Sequence, residues 1–188
     1  MDNGIYLAVN GLAGRNGLLD HLLVWSATAL PAAMLILIAA AWFWPGSPVA
    51  RGQRQRLAVY AVVAAVIALA IGEAIGHVWF RQRPFVFLPA HLLLAHAADA
   101  SFPSSHAVAS FALATPFLLA RRRLGSLLFA CAMLVAVARV ATGLHYPSDV
   151  VGGALLGMAV GAAVWFGRDW IERPIAWALA LAQRFRVA

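Results

Sequence analysis

Long apolar segments are the feature of this sequence that most constrains its fold. A helix needs about 20 apolar residues to cross the roughly 30 Å hydrocarbon core of a bilayer. Because lipid cannot satisfy backbone N–H and C=O groups, such segments must be helical. The expected spans are residues 22–44, 57–79, 104–120, 124–141 and 147–166. We therefore predict an all-α integral membrane bundle of about five or six transmembrane helices, forming one domain over residues 1–188.

Composition and charge agree with a membrane protein. Hydrophobic residues make up 63% of the chain and charged residues 11%, whereas about a quarter of a soluble domain is charged. The net charge of +7 could suggest nucleic acid, but the basic residues follow the positive-inside pattern of membrane proteins. They form three clusters: Arg51/Arg54/Arg56, which we expect in one short loop, Arg121–Arg123, and Arg168/Arg173/Arg184/Arg186. We expect these clusters in the cytoplasm, with membrane lipids and no nucleic acid as partners.

The two ends of the chain are expected to lie on the membrane surface. Residues 1–16 predict a short interfacial helix, because Asn10, Arg15 and Asn16 argue against a span. Residues 170–188 are amphipathic, and a short sixth span there is the less favoured reading.

Pro31 should kink the first span or divide it.

Small residues line the last span. Gly152, Gly153, Gly157 and Gly161 predict a face on which another helix packs closely.

Three stretches with chemically useful side chains fall at span ends opposite the basic clusters. The stretch FRQRPF supplies Arg81 and Arg83, SFPSSHA supplies His106, and RVATGLHYPSD supplies Arg139, His145 and Asp149. A histidine beside a carboxylate can be held in one tautomer as a nucleophile. An arginine offers a planar fork of donors to phosphate oxygens. These stretches predict one phosphate-handling site on one face of the membrane.

The motifs RQRP, PSSH and R-x5-H-x3-D, in this order, resemble the three signature motifs of the type 2 phosphatidic acid phosphatase superfamily. That superfamily also holds bacterial acid phosphatases and vanadium haloperoxidases. Within it, the stretches are most similar to bacterial undecaprenyl pyrophosphate phosphatases of the bacitracin-resistance type. The resemblance implies an acid phosphatase/haloperoxidase-like helical core in the bacterial inner membrane, with its active site facing the periplasm or exterior.

The sequence departs from the family pattern at three positions. Gly76 stands where the family has a lysine, seven residues before Arg83, so that one phosphate-binding cation is missing. His77 or Arg81 is a candidate to replace part of its role. Ser105 stands where the second motif usually has glycine, and Ala138 stands where the third usually has serine.

The resemblance implies a role for each motif residue. His145 attacks phosphorus to form a phosphohistidine, and Asp149 accepts the other imidazole N–H. His106 protonates the leaving oxygen and then deprotonates the water that hydrolyses the intermediate. The expected phosphate ligands are Arg81, Arg83, Arg139, Ser104 and Ser105, with backbone N–H groups at the start of the third span. No cofactor is expected, and no metal, because the sequence lacks the carboxylate cluster of a magnesium site.

Glu73 lies within the second span, where a charge is costly and usually functional or paired. One helical turn separates it from His77. We expect Glu73 to face the site, where it would pair with an arginine, orient His77 or help to select a diphosphate.

The expected function is hydrolysis of undecaprenyl diphosphate, a polyprenyl diphosphate lipid, to undecaprenyl phosphate and phosphate in cell-wall lipid carrier recycling. One alternative is the same chemistry on phosphatidylglycerol phosphate, phosphatidic acid or lipid A, because the motifs read only phosphate. A second is a non-enzymatic lipid transporter or scaffold. The two histidines and the aspartate argue against this second alternative, since moving a lipid needs no nucleophile.

Overall fold

The computed structural model describes residues 1–172 and residue 176. The helices in this part of the chain are α1 (Asp2–Asn10), α2 (Gly17–Thr28), α3 (Leu30–Phe43), α4 (Pro48–Val78), α5 (Ser105–Ala120), α6 (Arg122–Ala141) and α7 (Pro147–Phe166). One 3₁₀ turn, Pro84–Val86, lies between α4 and α5. The predicted amphipathic stretch at 170–188 lies almost wholly outside the described residues.

The helices form a multi-pass membrane protein. Among the described residues, α4, α6 and α7 are each long and apolar enough to cross a bilayer, and α2 and α3 together make a fourth candidate. The remaining predicted span is α5, whose 16 residues rise about 24 Å and fall short of the hydrocarbon thickness. The predicted all-α membrane fold is confirmed, and the described part of the chain holds three candidate spans, or four if the bent pair counts as one.

Pro31 divides the first predicted span, as expected. Helices α2 and α3 meet at an angle of 56°, and Pro31 lies at the start of α3. The proline has no N–H to continue the hydrogen-bond ladder of α2, which explains the break. The Asn16 side chain accepts hydrogen bonds from the N–H groups of Leu18 (2.9 Å) and Leu19 (3.3 Å), so that α2 begins earlier than the apolar pattern indicated.

The first basic cluster is helical, and its prediction as a loop was wrong. Ser47 caps α4 through its hydroxyl, which accepts the Ala50 N–H at 3.3 Å, and Pro48 occupies the first helical position. This pairing favours a helix start before the arginines. Arg54 then reaches back to α3, where it donates to the carbonyls of Ala41 and Trp44.

Helix α5 lies at the centre of the bundle and packs against α4, α6 and α7. The glycines of α7 permit its closest contact. A Cβ atom at Gly157 would lie 2.4 Å from the Val108 carbonyl oxygen, and one at Gly153 would lie 2.8 Å from that of Ser104. The predicted small-residue face is therefore a real helix–helix contact, and it brings the start of α7 against the start of α5.

The helix directions gather the reactive stretches at one end of the bundle. Helices α4 and α6 end there, and α5 and α7 begin there. Helix α1 packs on the same end through Asn10, whose side chain donates to the carbonyls of Ala141 (2.8 Å) and His91 (3.0 Å). The Asn10 Oδ1 atom accepts the His91 N–H at 2.9 Å. Asn10 is thus a buried anchor that holds α1 against this end.

Candidate active site

A tight turn between α6 and α7 folds His145 back onto Arg139. The N–H groups of Leu144 and His145 both donate to the Arg139 carbonyl, at 3.2 and 3.3 Å. Gly143 has a φ of +89°, a left-handed conformation that favours glycine. As a result, Arg139 Nη2 lies 3.3 Å from His145 Nε2, and two residues six positions apart come into direct contact.

Arg83 reaches the same imidazole from the connection after α4. Its Nη1 lies 3.1 Å from His145 Nε2 and donates to the Leu144 carbonyl at 3.0 Å. Its Nε donates to Asp99 Oδ1 at 2.6 Å, which orients the guanidinium. Partial burial acts to raise the pKa of Asp99, but the hydrogen bond and charge of Arg83 hold it below its usual value. Arg83 is only 5% exposed, so that two buried guanidinium groups converge on one nitrogen of His145.

The other ring nitrogen of His145 identifies the tautomer. Nδ1 lies 2.9 Å from the Ser101 carbonyl oxygen, which can only accept a hydrogen bond. Nδ1 therefore carries the proton, and Nε2 presents its lone pair towards Arg83 and Arg139. This arrangement fits a nucleophilic nitrogen at an anion site.

Asp149 lies behind the imidazole, and its Oδ2 is 3.7 Å from His145 Nδ1. That separation is longer than a hydrogen bond, and the Nδ1 proton is taken by Ser101. Asp149 Oδ2 instead accepts from the Ser101 hydroxyl and from the Tyr146 N–H (2.8 Å). Asp149 thus acts on the ring at short range by charge, and through Ser101 by hydrogen bonding.

Ser101 is a site residue that the sequence analysis did not single out. It is fully buried, and it joins His145 to Asp149 through its carbonyl and its hydroxyl. The only signal for it was its position as the first residue of the SFPSSHA stretch.

The N-terminus of α5 lies against the start of α7, where the Ser104 N–H donates to the Asp149 carbonyl at 3.1 Å. The first intrahelical bond runs from Val108 N to Ser104 O, so that the N–H groups of the first turn have no helical partner. Ser104 Oγ and Arg139 Nε are both buried, and neither has a hydrogen-bond partner among the described residues. Such groups cost free energy unless a ligand satisfies them, so they fit an anion site.

His106 lies in the first turn of α5, partly buried. The charges that act on its side chain come from Arg139, His145, His96 and Arg83. Its place near both arginines and the second imidazole is suitable for exchange of a proton with a bound phosphate ester.

Arg81 lies on the far side of Asp149 and makes no hydrogen bond to the Nε2 of His145. Its Nη1 donates to Asp149 Oδ1 (2.7 Å) and to the Ser148 hydroxyl (2.6 Å), and its Nη2 donates to Asp2 Oδ2 (2.7 Å). Its guanidinium carbon lies 4.0 Å from the centre of the Tyr146 ring. The structure therefore separates Arg81 from the other predicted phosphate ligands.

Glu73 and His77 pair with each other at the end of α4, with His77 Nε2 3.2 Å from Glu73 Oε1. Both are exposed and line a cavity of about 290 Å³. Arg83 and Ser105 line the same cavity, so the glutamate faces towards the site. Gly76, which replaces the family lysine, also lines it. His77 pairs with Glu73, and Arg81 pairs with Asp2 and Asp149, so that both candidates to replace the lysine already have carboxylate partners.

The protonation of His145 follows from its surroundings. Burial lowers the pKa of its imidazole to about 4 from an ordinary value of 6.5; the positive charges of Arg139 and Arg83 also lower it, and Asp149 opposes them. Among the described residues, His106 is a further titratable group close enough for its charge and that of His145 to interact. A lowered pKa means that the ring stays neutral at every pH above about 4. We expect ¹⁵N NMR of histidine-labelled protein in micelles to give a titration midpoint near 4.

A charge substitution tests the cause of this lowered pKa. Arg83→Gln removes one of the two positive charges at Nε2 and should raise the midpoint of His145. Arg121→Gln, at the opposite end of the bundle, should leave it unchanged. A midpoint near 6.5 in the unsubstituted protein would contradict burial as the cause.

Comparison with known proteins identifies the family of this chain. A family model described as the PAP2 superfamily matches residues 57–173, more than half of the chain. The chain belongs to the PAP2 superfamily. The undecaprenyl-diphosphatase BcrC of Bacillus subtilis is 32% identical over 161 residues, which are 86% of this chain and 81% of that protein.

Two solved structures show the same PAP2 fold. Aquifex aeolicus LpxE superimposes with a TM-score of 0.64 at 22% identity, over 87% of this chain and 93% of that one. A transmembrane PAP2 type phosphatidylglycerolphosphate phosphatase from Bacillus subtilis gives a TM-score of 0.61 at 19% identity, over 90% of this chain and 87% of that one.

Among the residues described here, no group of three or more His, Cys, Asp or Glu side chains has the arrangement of a metal site.

Proposed function

We propose that this PAP2 protein hydrolyses undecaprenyl diphosphate to undecaprenyl phosphate and phosphate through a phosphohistidine on His145. The proposal rests on one observation: Nε2 of the His145 ring is unprotonated and lies close to two arginines. His145 Nε2 lies 3.1 Å from Arg83 and 3.3 Å from Arg139, while Nδ1 donates to Ser101. A neutral nucleophile between two phosphate-binding cations suits attack on an anionic ester, because it avoids charge repulsion.

In the first step, Nε2 attacks the terminal phosphorus and the bond to the bridging oxygen breaks. Undecaprenyl phosphate leaves on that oxygen and takes a proton from His106. The ring becomes cationic as the N–P bond forms, and the buried carboxylate of Asp149, 3.7 Å from Nδ1, stabilises that charge.

The phosphoryl oxygens would be held by Arg83, Arg139 and the first turn of α5, where the unpartnered Ser104 hydroxyl and backbone N–H groups can donate. These donors stand in place before substrate arrives, and preorganised donors are the largest electrostatic contribution in such reactions. Ser105 borders the neighbouring cavity and would contact the diphosphate from that side.

In the second step, His106 accepts a proton from water and the resulting hydroxide attacks phosphorus. The N–P bond breaks, phosphate is released, and His145 returns to its neutral state. His106 thus serves as the acid in the first step and as the base in the second, because the two half-reactions move a proton in opposite directions.

The choice of lipid rests on similarity to the undecaprenyl-diphosphatase BcrC, of which this chain covers 81%. The open cavity beside Arg83, lined by Gly76 in place of a lysine side chain, leaves room next to the nucleophile for a diphosphate. We place the site on the exterior side of the bacterial inner membrane. The arginines at the start of α4 and of α6 support this orientation, since they lie at the opposite end of the bundle.

A phosphate-release panel tests the substrate. Purified protein in EDTA is expected to release phosphate from undecaprenyl diphosphate with a higher kcat/KM than from phosphatidylglycerol phosphate, phosphatidic acid or lipid A. Chelation should leave turnover unchanged, because arginines carry the charge neutralisation.

Each outcome of the panel has a meaning. Preference for a monophosphate lipid would replace the substrate while the chemistry stands. Loss of turnover in EDTA, restored by a divalent cation, would contradict the metal-independent mechanism. Activity on no lipid phosphate would favour the transporter or scaffold alternative.

A further inference from the structure

The first turn of α1 brings an acidic side chain to the start of α7. Asp2 Oδ1 accepts the Ser148 N–H at 3.1 Å, and Asp2 Oδ2 accepts the Ser148 hydroxyl at 2.6 Å. The same Oδ2 accepts Arg81 Nη2 at 2.7 Å. Partial burial acts to raise the pKa of Asp2, but the hydrogen bonds from Ser148 and Arg81 hold it below its usual value. Asp2 is therefore ionised at neutral pH.

Arg81 connects Asp2 to the carboxylate behind the nucleophile. Its two terminal nitrogens donate to different partners, Nη2 to Asp2 and Nη1 to Asp149 Oδ1 at 2.7 Å. Its face lies on the Tyr146 ring, which fixes the plane of the guanidinium. Asp149 is fully buried. Within the described residues, Arg81 is the one arginine that pairs with it.

The position of Asp2 is set by the packing of α1. Tyr6 is fully buried and donates to the Gly143 carbonyl at 3.3 Å, in the turn that carries His145. Asn10 makes three hydrogen bonds to the backbone of Ala141 and His91. These anchors hold α1 firmly enough to place its first turn at the site.

We propose that Asp2 and Arg81 are positioning residues, which hold Asp149 in place and keep the group behind the nucleophile negatively charged. The inference rests on the proposed phosphohistidine chemistry. Two carboxylates and one guanidinium carry a single net negative charge beside a ring that becomes cationic during attack. Without the charge of Asp2, the pair of Arg81 and Asp149 is neutral and stabilises the cationic ring less. In this proposal Arg81 acts through Asp149. It does not bind phosphate, which was the role expected from the sequence.

The kinetic test is Asp2→Asn, which keeps the size of the side chain and removes its charge. We expect kcat to fall by about tenfold, comparable to one pKa unit of interaction, with KM nearly unchanged. Asp2→Glu should retain most of kcat. Asp20→Asn is the matched control, since Asp20 also lies in the N-terminal region and accepts a backbone N–H, that of Gly14, at 2.9 Å.

A double-mutant cycle separates positioning from a general structural role. If Asp2 acts through Asp149, Asp2→Asn should have little further effect on kcat once Asp149→Asn is present. A fall in kcat that multiplies fully with that of Asp149→Asn would overturn the inference. So would an Asp2→Asn protein with unchanged kcat.

An activity-independent measurement completes the test. The Nδ1 ¹⁵N resonance of His145 should shift in Asp2→Asn and stay in place in Asp20→Asn, at equal thermal stability. If the protein hydrolyses no lipid phosphate but this resonance shifts, the proposed function fails and the positioning role stands. If the protein is active and the resonance does not move, the positioning role fails and the proposed function stands.

Discussion

His145→Gln is expected to abolish phosphate release, lowering kcat by more than about 10⁴-fold, because this change removes the ring nitrogen that both Arg83 and Arg139 contact. Glutamine keeps a neutral polar side chain of similar length at this position, so the fold should survive. Thermal unfolding in detergent checks that survival. His21→Gln is the matched control, since His21 is exposed and its ring bonds to the Gly17 carbonyl of its own helix.

The structure also specifies which nitrogen carries the phosphoryl group. Nδ1 is occupied by the Ser101 carbonyl at 2.9 Å, so that the intermediate should form on Nε2. We expect a base-quenched reaction with ³²P-labelled substrate to contain phosphohistidine substituted at Nε2, absent in His145→Gln. Phosphorylation at Nδ1, or ordinary turnover by His145→Gln, would exclude the proposed nucleophile.

His106→Asn is expected to give the second large effect, a fall of about 10²–10⁴ in kcat, the usual worth of general acid–base help. The two half-reactions should respond differently. Loss of the base slows attack by water whatever the substrate, so the phosphoenzyme should accumulate with undecaprenyl diphosphate. The measurement is the phosphoenzyme level after rapid base quench, compared with that of the unsubstituted protein.

The leaving group decides how strongly the first half-reaction depends on His106. A phosphate monoester such as phosphatidic acid must expel an alcohol, which needs a proton far more than the phosphate of a lipid carrier does. Phosphoenzyme formation by His106→Asn should therefore fall more with phosphatidic acid than with undecaprenyl diphosphate. Equal losses with both lipids would contradict the acid role of His106. His21→Asn is a suitable control, since His21 is exposed and its ring bonds to the Gly17 carbonyl one turn before it.

The helical membrane fold was predictable because its signals are local. Apolar length predicts spans, Pro31 predicts the break between α2 and α3, and the glycines of α7 predict the contact with α5. The arginines before residue 57 were misplaced in a loop because their charge outweighed a better signal, the Ser47–Pro48 cap that starts α4. The Ser47–Pro48 pair is a local helix-start signal, and it predicts a helix that includes these arginines.

The candidate site was predictable to the level of which stretches meet, and no further. Arg83, Arg139, Ser104, His106, His145 and Asp149 come together at one end of the bundle, as the motifs indicated. Ser101 and Asp2 were missed, because neither lies in a motif with a known chemical role. Their importance comes from contacts with residues 44 or more positions away, which no local pattern encodes.

The sequence by itself determined that this chain forms helices in a membrane and which side chains could handle phosphate, because hydropathy and functional groups are properties of the residues themselves. Only the tertiary structure decided how those groups are used. The direction of a guanidinium depends on which acceptors the packing brings within reach. Arg83 and Arg139 turn to His145 Nε2, whereas Arg81, two residues from Arg83, turns to Asp2 and Asp149. That division follows from the docking of α1 on α6 and α7, which joins residues 146 positions apart.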